Sequence, residues 1–422
     1  MKKIILLHFL VLLMAAPSFS QSWNLAGPIP FANRYDDIYF VNPNTGWTVN
    51  SEGNIFKTTD GGLTWTWLYQ NSYYFRSVEF LDENTGFAGT LDSVLLRTND
   101  GGMTWEHVEG LIPNLVQGVC GLSHIGDNVY GVGIWSYPAY FIKSTDRGDS
   151  WTYTDLSGYA NGLVDCYFLD ENIGFVSGIN ENLGGVILKT IDGGVTWQMV
   201  YNTNDGYEYI WKLDFVNSNV AYGSVESFAN ATTIVKTTDG GDTWQELVVS
   251  SIPLDIQGIG FANEEKGWVG PRSSDMWETN DGGITWVPIG NFSNVNRIFR
   301  LQEDLLFASS NYVLKYDNTI TGIKNEEEAK YAHDIVAAVP NPFSNQLDIT
   351  IRIDKETYAK LDILSIDGKY IAPIAAERLK QGMYNFQINK KITANLKIGI
   401  YIVLLRTNEG FMTKKVVKTN ND

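Results

Sequence analysis

The chain has 422 residues, 44% hydrophobic and 13% aromatic, with a formal net charge of −17. That length allows two or three domains with well-filled cores. The charge is unevenly spread: residues 21–335 hold 16 Lys and Arg against 40 Asp and Glu, whereas 336–422 hold 13 against 8, so the larger part offers no basic surface for nucleic acid.

Residues 1–20 read as a cleavable export signal. Lys2 and Lys3 precede an apolar run from Ile4 to Ala16, and Ser18-Phe19-Ser20 forms a small-x-small end before Gln21. The run is too short for a comfortable membrane span, and no later stretch reaches about 18 uninterrupted apolar residues, so no transmembrane helix is expected. No Cys stands at the cleavage point to take a lipid.

From there the chain repeats itself. The box Lys236-Thr237-Thr238-Asp239-Gly240-Gly241-Asp242-Thr243-Trp244 has close copies at Lys57 to Trp65, Arg97 to Trp105, Lys143 to Trp151, Lys189 to Trp197 and Glu278 to Trp286. The six tryptophans follow one another at intervals of 40, 46, 46, 47 and 42 residues, a period that marks a radial β array with four strands per unit. Each copy reads as a hairpin. The aspartates Asp60, Asp100, Asp146, Asp192, Asp239 and Asp281 accept bonds from the turn backbone, the glycines supply positive φ, and Trp65, Trp105, Trp151, Trp197, Trp244 and Trp286 bury large rings. Arg147 replaces the first glycine of the third copy, so that turn must differ or carry strain.

A spacer precedes each box: a short alternating strand, a polar turn, then a small residue and an aromatic, as in Phe40 to Trp47 and Phe80 to Phe87. A seventh spacer, Arg300 to Phe307, leads into Tyr312 to Asp317, which stops short of its last strand. Ser22-Trp23-Asn24-Leu25 resembles that missing strand and has no hairpin before it. The N-terminal strand is therefore expected to close a seven-bladed ring, leaving no sheet edge exposed.

The run of Thr-x-Asp-Gly-Gly-x-Thr-Trp boxes resembles the Asp-box, or BNR-type, propellers of sialidases, sortilin ectodomains, xyloglucanase-type glycosidases and photosystem II assembly factors of the Ycf48 type. The spacer is most similar to the Ycf48-related group. The likeness covers about residues 22–318 and implies the fold; an assembly role in photosynthesis does not suit an exported chain, and this fold hosts unrelated functions.

Residues 319–334, with Glu326-Glu327-Glu328, read as a solvated linker. Beyond it, alternating runs at Leu347 to Ile353, Leu361 to Ile366, Tyr384 to Ile388, Ile398 to Arg406 and Met412 to Val417 predict a small Ig-like β-sandwich. Its Pro340-Asn341-Pro342-Phe343, Ile366-Asp367-Gly368-Lys369, Gly399-Ile400-Tyr401 and Lys414 to Lys418 are similar to the C-terminal sorting domain (type A) of type IX secretion cargo. That resemblance implies passage across both membranes through the type IX secretion machinery, removal of residues 335–422, and release or attachment at the outer cell surface.

Asp-box turns lie on one face of such a ring, and the innermost strands open on the other. An Asp committed to its own turn has few lone pairs left for a substrate, so the boxes are expected to be structural. Aligning the inner strands on the recurrent aromatic places Asp36, Arg76, Gly118, Val164, Trp211, Gln257 and Arg297 at the opposite mouth, with Asp36 between two arginines. Its loops carry Tyr35, Tyr73, Tyr74, Tyr159, Tyr207 and Tyr209, joined by Trp135, Tyr137 and Arg272. Aromatic faces beside a few charges suit a sugar ring or a peptide. The plainer alternative is an ion-pair plug roofed by tyrosines.

Catalysis is less well supplied. No three arginines with a Tyr/Glu pair and an acid/base Asp come together as a sialidase would need. A glycan hydrolase needs two carboxylates across a cleft, for which Glu181, Glu226 and Asp275 are available. His8, His107, His124 and His333 lack metal-ligand spacing, and the Gly-Gly pairs are hairpin turns rather than phosphate loops, so neither metal nor cofactor is expected. Cys120 and Cys166, at matching sites of adjacent blades by this alignment, should point the same way round the ring and stay unbridged. The sequence thus predicts an exported, all-β, non-catalytic binding protein for a glycan or protein ligand. A secreted glycan hydrolase and a structural part of a surface assembly are the alternatives.

Overall fold

The computed structural model describes residues 22–27, 29–30, 32–115, 117–133, 138–203, 206–289, 292–317, 333–365, 370–388, 390–407 and 410–419. The expected export signal, most of the expected linker, Trp135, Tyr137 and residues 366–369 lie outside the described residues.

Each repeat folds as four antiparallel strands, giving seven four-stranded sheets among the described residues of the repeat region. The inner strands are Tyr35–Phe40, Phe75–Phe80, Gly121–Ile125, Gly162–Phe168, Glu208–Phe215, Ile256–Phe261 and Arg297–Gln302. Each touches the inner strand of the next sheet, and the first touches the last, so the ring closes. The seventh sheet has three strands of its own, and Ser22–Leu25 supplies the fourth, with Trp23 opposite Tyr316. The closure expected from the missing strand is what forms.

The spacer glycine has a packing reason. Gly86 pairs across the ladder with Phe80, and a Cβ on Gly86 would lie 2.4 Å from that ring. Phe80 therefore lies flat across the glycine, and its other face takes the aromatic of the preceding sheet. Trp47 stacks on Phe80 with centroids 3.5 Å apart, Tyr130 on Phe168 at 3.6 Å, Tyr222 on Phe261 at 3.5 Å and Phe307 on Phe40 at 3.7 Å. The box tryptophans close these stacks edge-on, Trp105 against Phe80 and Trp286 against Phe261.

In the boxes themselves, Asp60 Oδ1 accepts the Thr64 backbone N–H at 2.8 Å and the Thr58 hydroxyl at 2.8 Å, while Oδ2 accepts the Thr64 hydroxyl. The same pattern holds at Asp100, Asp146, Asp192, Asp239 and Asp281. The first box residue latches one sheet to the next: Lys143 Nζ donates to the Gly193 carbonyl at 3.0 Å, Lys189 to Gly240 at 2.8 Å and Lys236 to Gly282 at 3.0 Å. Arg147 does adopt a left-handed backbone, φ 59°. Its guanidinium is tied to Asp82, Asp127 and Thr85 of neighbouring turns, which offsets the strain.

The C-terminal part forms a three-stranded sheet, His333–Val339, Leu347–Ile353 and Gly382–Ile388, and a four-stranded sheet, Tyr370–Leu379, Thr357–Ser365, Gly399–Thr407 and Gly410–Lys418. Ile349, Ile351, Leu361, Ile363, Val403 and Leu405 fill the core. The alternating runs marked five of these strands. His333–Val339 and Tyr370–Leu379 escaped notice, the latter because it buries little but Leu379 and does not alternate cleanly.

Candidate functional site

Side chains of the inner strands alternate between the sheet-to-sheet core and the central channel. Ile38, Val78, Leu122, Cys166, Leu213, Ile259 and Ile298 are buried in the core. The residues either side of them form rings around the axis. Ladder register makes Asp37, Ser77, Gly121, Asp165, Lys212, Gly258 and Arg297 one ring, midway along the channel. Tyr39, Glu79, Ser123, Tyr167, Asp214, Gly260 and Phe299, each paired with or standing at the recurrent aromatic, make a second ring at the box end.

Toward the mouth, five inner strands carry a β-bulge, between Tyr35 and Asp37, Phe75 and Ser77, Leu163 and Asp165, Ile210 and Leu213, and Ile256 and Gly258. The extra residue of a bulge is released from the ladder and its side chain is re-aimed. The released residues include Asp36, Arg76, Val164, Trp211 and Gln257, five of the seven positions the sequence placed at the mouth. The other two belong elsewhere. Arg297 sits in the regular ladder opposite Ser309 and hence in the middle ring. Gly118 lies before its strand and offers its carbonyl to the Tyr140 hydroxyl at 2.9 Å.

The mouth residues form a connected network. Asp36 is flanked by Arg76 and Arg34, the latter through Nε at 2.6 Å. Arg34 takes the place expected for Arg297, and nothing in the repeat pattern marked it, because it stands in a connection outside the aligned strands. Arg34 Nη2 donates to Gln257 Oε1 at 2.6 Å, and Gln257 Nε2 donates to Glu226. Arg76 lies over the Trp211 ring, 5.2 Å from its centroid, with Tyr209 edge-on to Trp211 at 5.6 Å. Burial pushes Glu226 up to about 7, and Asp255, bonded to it, is raised as well. Burial likewise lowers Arg34, partly opposed by Asp36. Asp36, Arg76, Trp211, Gln257 and Glu226 are all buried, so this layer seals the channel. Buried polar atoms nevertheless remain without hydrogen-bond partners among the described residues: Asp36 Oδ2, Arg76 Nε, Trp211 Nε1 and Asp255 Oδ1.

Above the seal, Tyr207 is 71% exposed, Phe228 and Ile252 59% each, and Tyr159 39%. Arg272 is exposed and pairs with Asp255 at 3.4 Å. Tyr35, in contrast, is buried in the core with its hydroxyl on the Pro30 carbonyl at 2.8 Å. Of the three carboxylates considered for hydrolysis, Glu181 is exposed, Asp275 half-buried and Glu226 enclosed in the network above.

In the middle ring Arg297 reaches Asp165 of the fourth sheet at 3.1 Å and Asp37 of the first at 3.6 Å. Lys212 adds a second cation to Asp165 at 3.1 Å. Asp37 and Asp165 also accept backbone N–H groups of the following sheets, from Val78 at 3.1 Å and Leu213 at 2.8 Å. This crossbar divides the channel in two. Cys120 and Cys166 form no disulfide, and both are buried. They are not equivalent, since register matches Cys166 with Leu122.

Comparison with known proteins bears on both parts of the chain. Residues 16–115 match the family model of the photosynthesis system II assembly factor YCF48, and residues 337–419 match that of the secretion system C-terminal sorting domain. No curated protein matches the sequence. Among solved structures, a YCF48 bound to a D1 peptide superposes with a TM-score of 0.53 at 19% identity, covering 70% of this chain and 96% of its own. PorZ, a surface component of the type IX secretion system of Porphyromonas gingivalis, gives 0.51 at 11% identity, covering 94% of this chain and 61% of its own. A GH74 xyloglucanase from Xanthomonas campestris gives 0.54 at 10% identity, covering 93% and 69%. At these identities the likeness establishes the fold. No helix among the described residues is long and apolar enough to cross a membrane. The chain thus joins a β-propeller similar to Ycf48-type BNR propellers to a type IX secretion sorting domain, which directs it to export and to the cell surface or beyond.

Proposed function

We propose that this is an exported, non-catalytic binding protein whose propeller mouth grips a polypeptide partner. The supporting observation is the exposed rim. Tyr159, Tyr207, Phe228 and Ile252 stand with Arg272 on successive mouth-side connections from the third sheet to the sixth. Aromatic and aliphatic side chains beside an arginine have the composition of a protein-binding hot spot. Phe228 and Ile252 carry no polar handle for sugar hydroxyls, which favours polypeptide over glycan at this face. The YCF48 propeller with a D1 peptide illustrates that such a ring can hold a peptide. The Asp boxes are architectural in this reading, because both carboxylate oxygens are committed within the turn.

A photo-crosslinking residue placed at Tyr207 of the exported protein should yield one discrete protein adduct on living cells. Phe228→Ala should reduce that adduct about tenfold or more, the loss expected at a hot spot. Adducts to polysaccharide alone, or none, would overturn the proposal.

The hydrolase alternative has less support: Glu226 and Asp255 share a hydrogen bond, closer together than the separation of about 5–9.5 Å that glycoside cleavage needs between its two carboxyl groups. Turnover of any polysaccharide in a panel, abolished by Glu226→Gln with the fold intact, would demand this hydrolase reading.

A further inference from the structure

The box-side half of the channel is a separate chamber. Below the Arg297–Asp165 crossbar lies a cavity of about 290 Å³. Tyr39, Glu79, Ser123, Tyr167, Asp214 and Phe299 line it, six of the seven members of the box-end ring. The seventh is Gly260, where a Cβ would lie 2.4 Å from Ile298. The cavity takes part in neither the mouth network nor the Asp boxes.

Its chemistry is specific in three respects. First, it is balanced in charge. Glu79 and Asp214 line it with His124, Arg297 and Arg300, and the crossbar groups Asp37, Asp165 and Lys212 stand behind Arg297, in all four acids against four bases when His124 is protonated. His124 Nδ1 lies 2.8 Å from Glu79 Oε1; burial lowers the imidazole pKa, but the bond and charge of Glu79 outweigh it and the net shift is upward. A chamber without surplus charge has no pull on an ion.

Second, polar groups are left over. The hydroxyls of Tyr39 and Tyr167, both half-buried, have no hydrogen-bond partner among the described residues. His124 uses only Nδ1, Asp214 accepts Phe261 N–H through Oδ2 alone, and Arg300 engages the Phe215 and Val216 carbonyls through Nη2 alone. Donors and acceptors are both left in one small space, and a ligand group that is both at once, a hydroxyl, answers them best. Third, Tyr39 packs on Phe299 with centroids 5.0 Å apart and Tyr167 stacks on Phe215 at 4.9 Å, so aromatic rings stiffen the walls.

We propose that this chamber binds one neutral, hexose-sized polyol, either free or as the terminal residue of a glycan. The volume suits a single six-membered ring, and the site is independent of the polypeptide-binding mouth.

Saturation-transfer difference NMR on the full exported chain tests this with glucose, galactose, mannose, N-acetylglucosamine, glucuronate and glucosamine. A neutral sugar should receive saturation, and glucuronate and glucosamine should not. Tyr167→Phe and Asp214→Asn should each weaken binding about tenfold, the cost of one lost hydrogen bond to a buried partner, while Phe228→Ala at the mouth leaves it unchanged. Tyr167→Phe keeps the ring on Phe215, so its melting temperature serves as the folding control. Methyl glycosides and oligosaccharides ending in the same sugar separate the sources: retained binding marks a glycan terminus, lost binding a free sugar. No transfer to any neutral sugar, preference for a charged one, or indifference to both chamber variants would overturn the proposal.

Discussion

At the scale of single residues, position within the repeat decides what a carboxylate does. The box aspartates Asp146, Asp192, Asp239 and Asp281 are held down to about 2 by hydroxyl and backbone N–H bonds. In the unfolded chain they titrate near about 3.9. Their folded values lie below their unfolded ones, so their contribution is complete above about pH 4 and is lost as pH falls toward about 2. Urea midpoints should therefore drop over that window, with a shallower fall in Asp192→Asn. Glu226 is the reverse case. Burial raises it to about 7, so the folded state resists its ionisation, and stability declines as pH rises from about 4.5 toward 7. Gln imitates the protonated acid, donating to Asp255 and accepting from Gln257. Glu226→Gln should match the parent near pH 4.5 and exceed it at pH 8, by at most about 3 kcal/mol. Lower stability of this variant at pH 8 would contradict the assignment.

At the scale of elements, the bulges and the closing strand carry the argument. Asp36 is buried between Arg34 and Arg76, so Arg76→Ala strands part of a buried charge and should cost about 3–5 kcal/mol by urea unfolding. Replacing Asp36 and Arg76 together should cost less than the sum of the single changes, because the pair acts as a unit. Trp23, on the closing strand, is buried edge-on to Trp268, with centroids 5.3 Å apart. Trp23→Ala should cost about 3–5 kcal/mol; Trp67→Ala, on an outer strand and 53% exposed, should stay within about 0.5 kcal/mol. Equal effects would mean that the N-terminal strand does not hold the ring shut. Sequence spacing located this strand because its partner hairpin was visibly incomplete. The bulges were invisible, because an extra residue in one strand leaves no mark in composition. The third and seventh inner strands carry none toward the mouth; there the ladder register puts Arg297 in the middle ring and matches Cys166 with Leu122, not with Cys120.

At the scale of the whole molecule, the two parts have separate tasks, and deletion of residues 335–422 should leave the propeller inside the cell envelope. Surface display of the truncated chain, followed by protease shaving, would refute that dependence. By itself the sequence determined the repeat, the box turns, the ring closed by Trp23 and the sorting domain, since each rests on local spacing or on a motif within one segment. Only the tertiary structure decided which residues meet on the axis. There, side chains from strands far apart in sequence converge, and whether a charge faces the mouth, the crossbar or the chamber beneath depends on register and on single-residue bulges. The Asp-Gly-Gly turns were legible because a turn is made by its own residues; of the seal, spacing placed Asp36, Arg76 and Gln257 at the mouth, whereas Arg34 and the bonds that join the four were not legible, because they link different strands and connections around one ring.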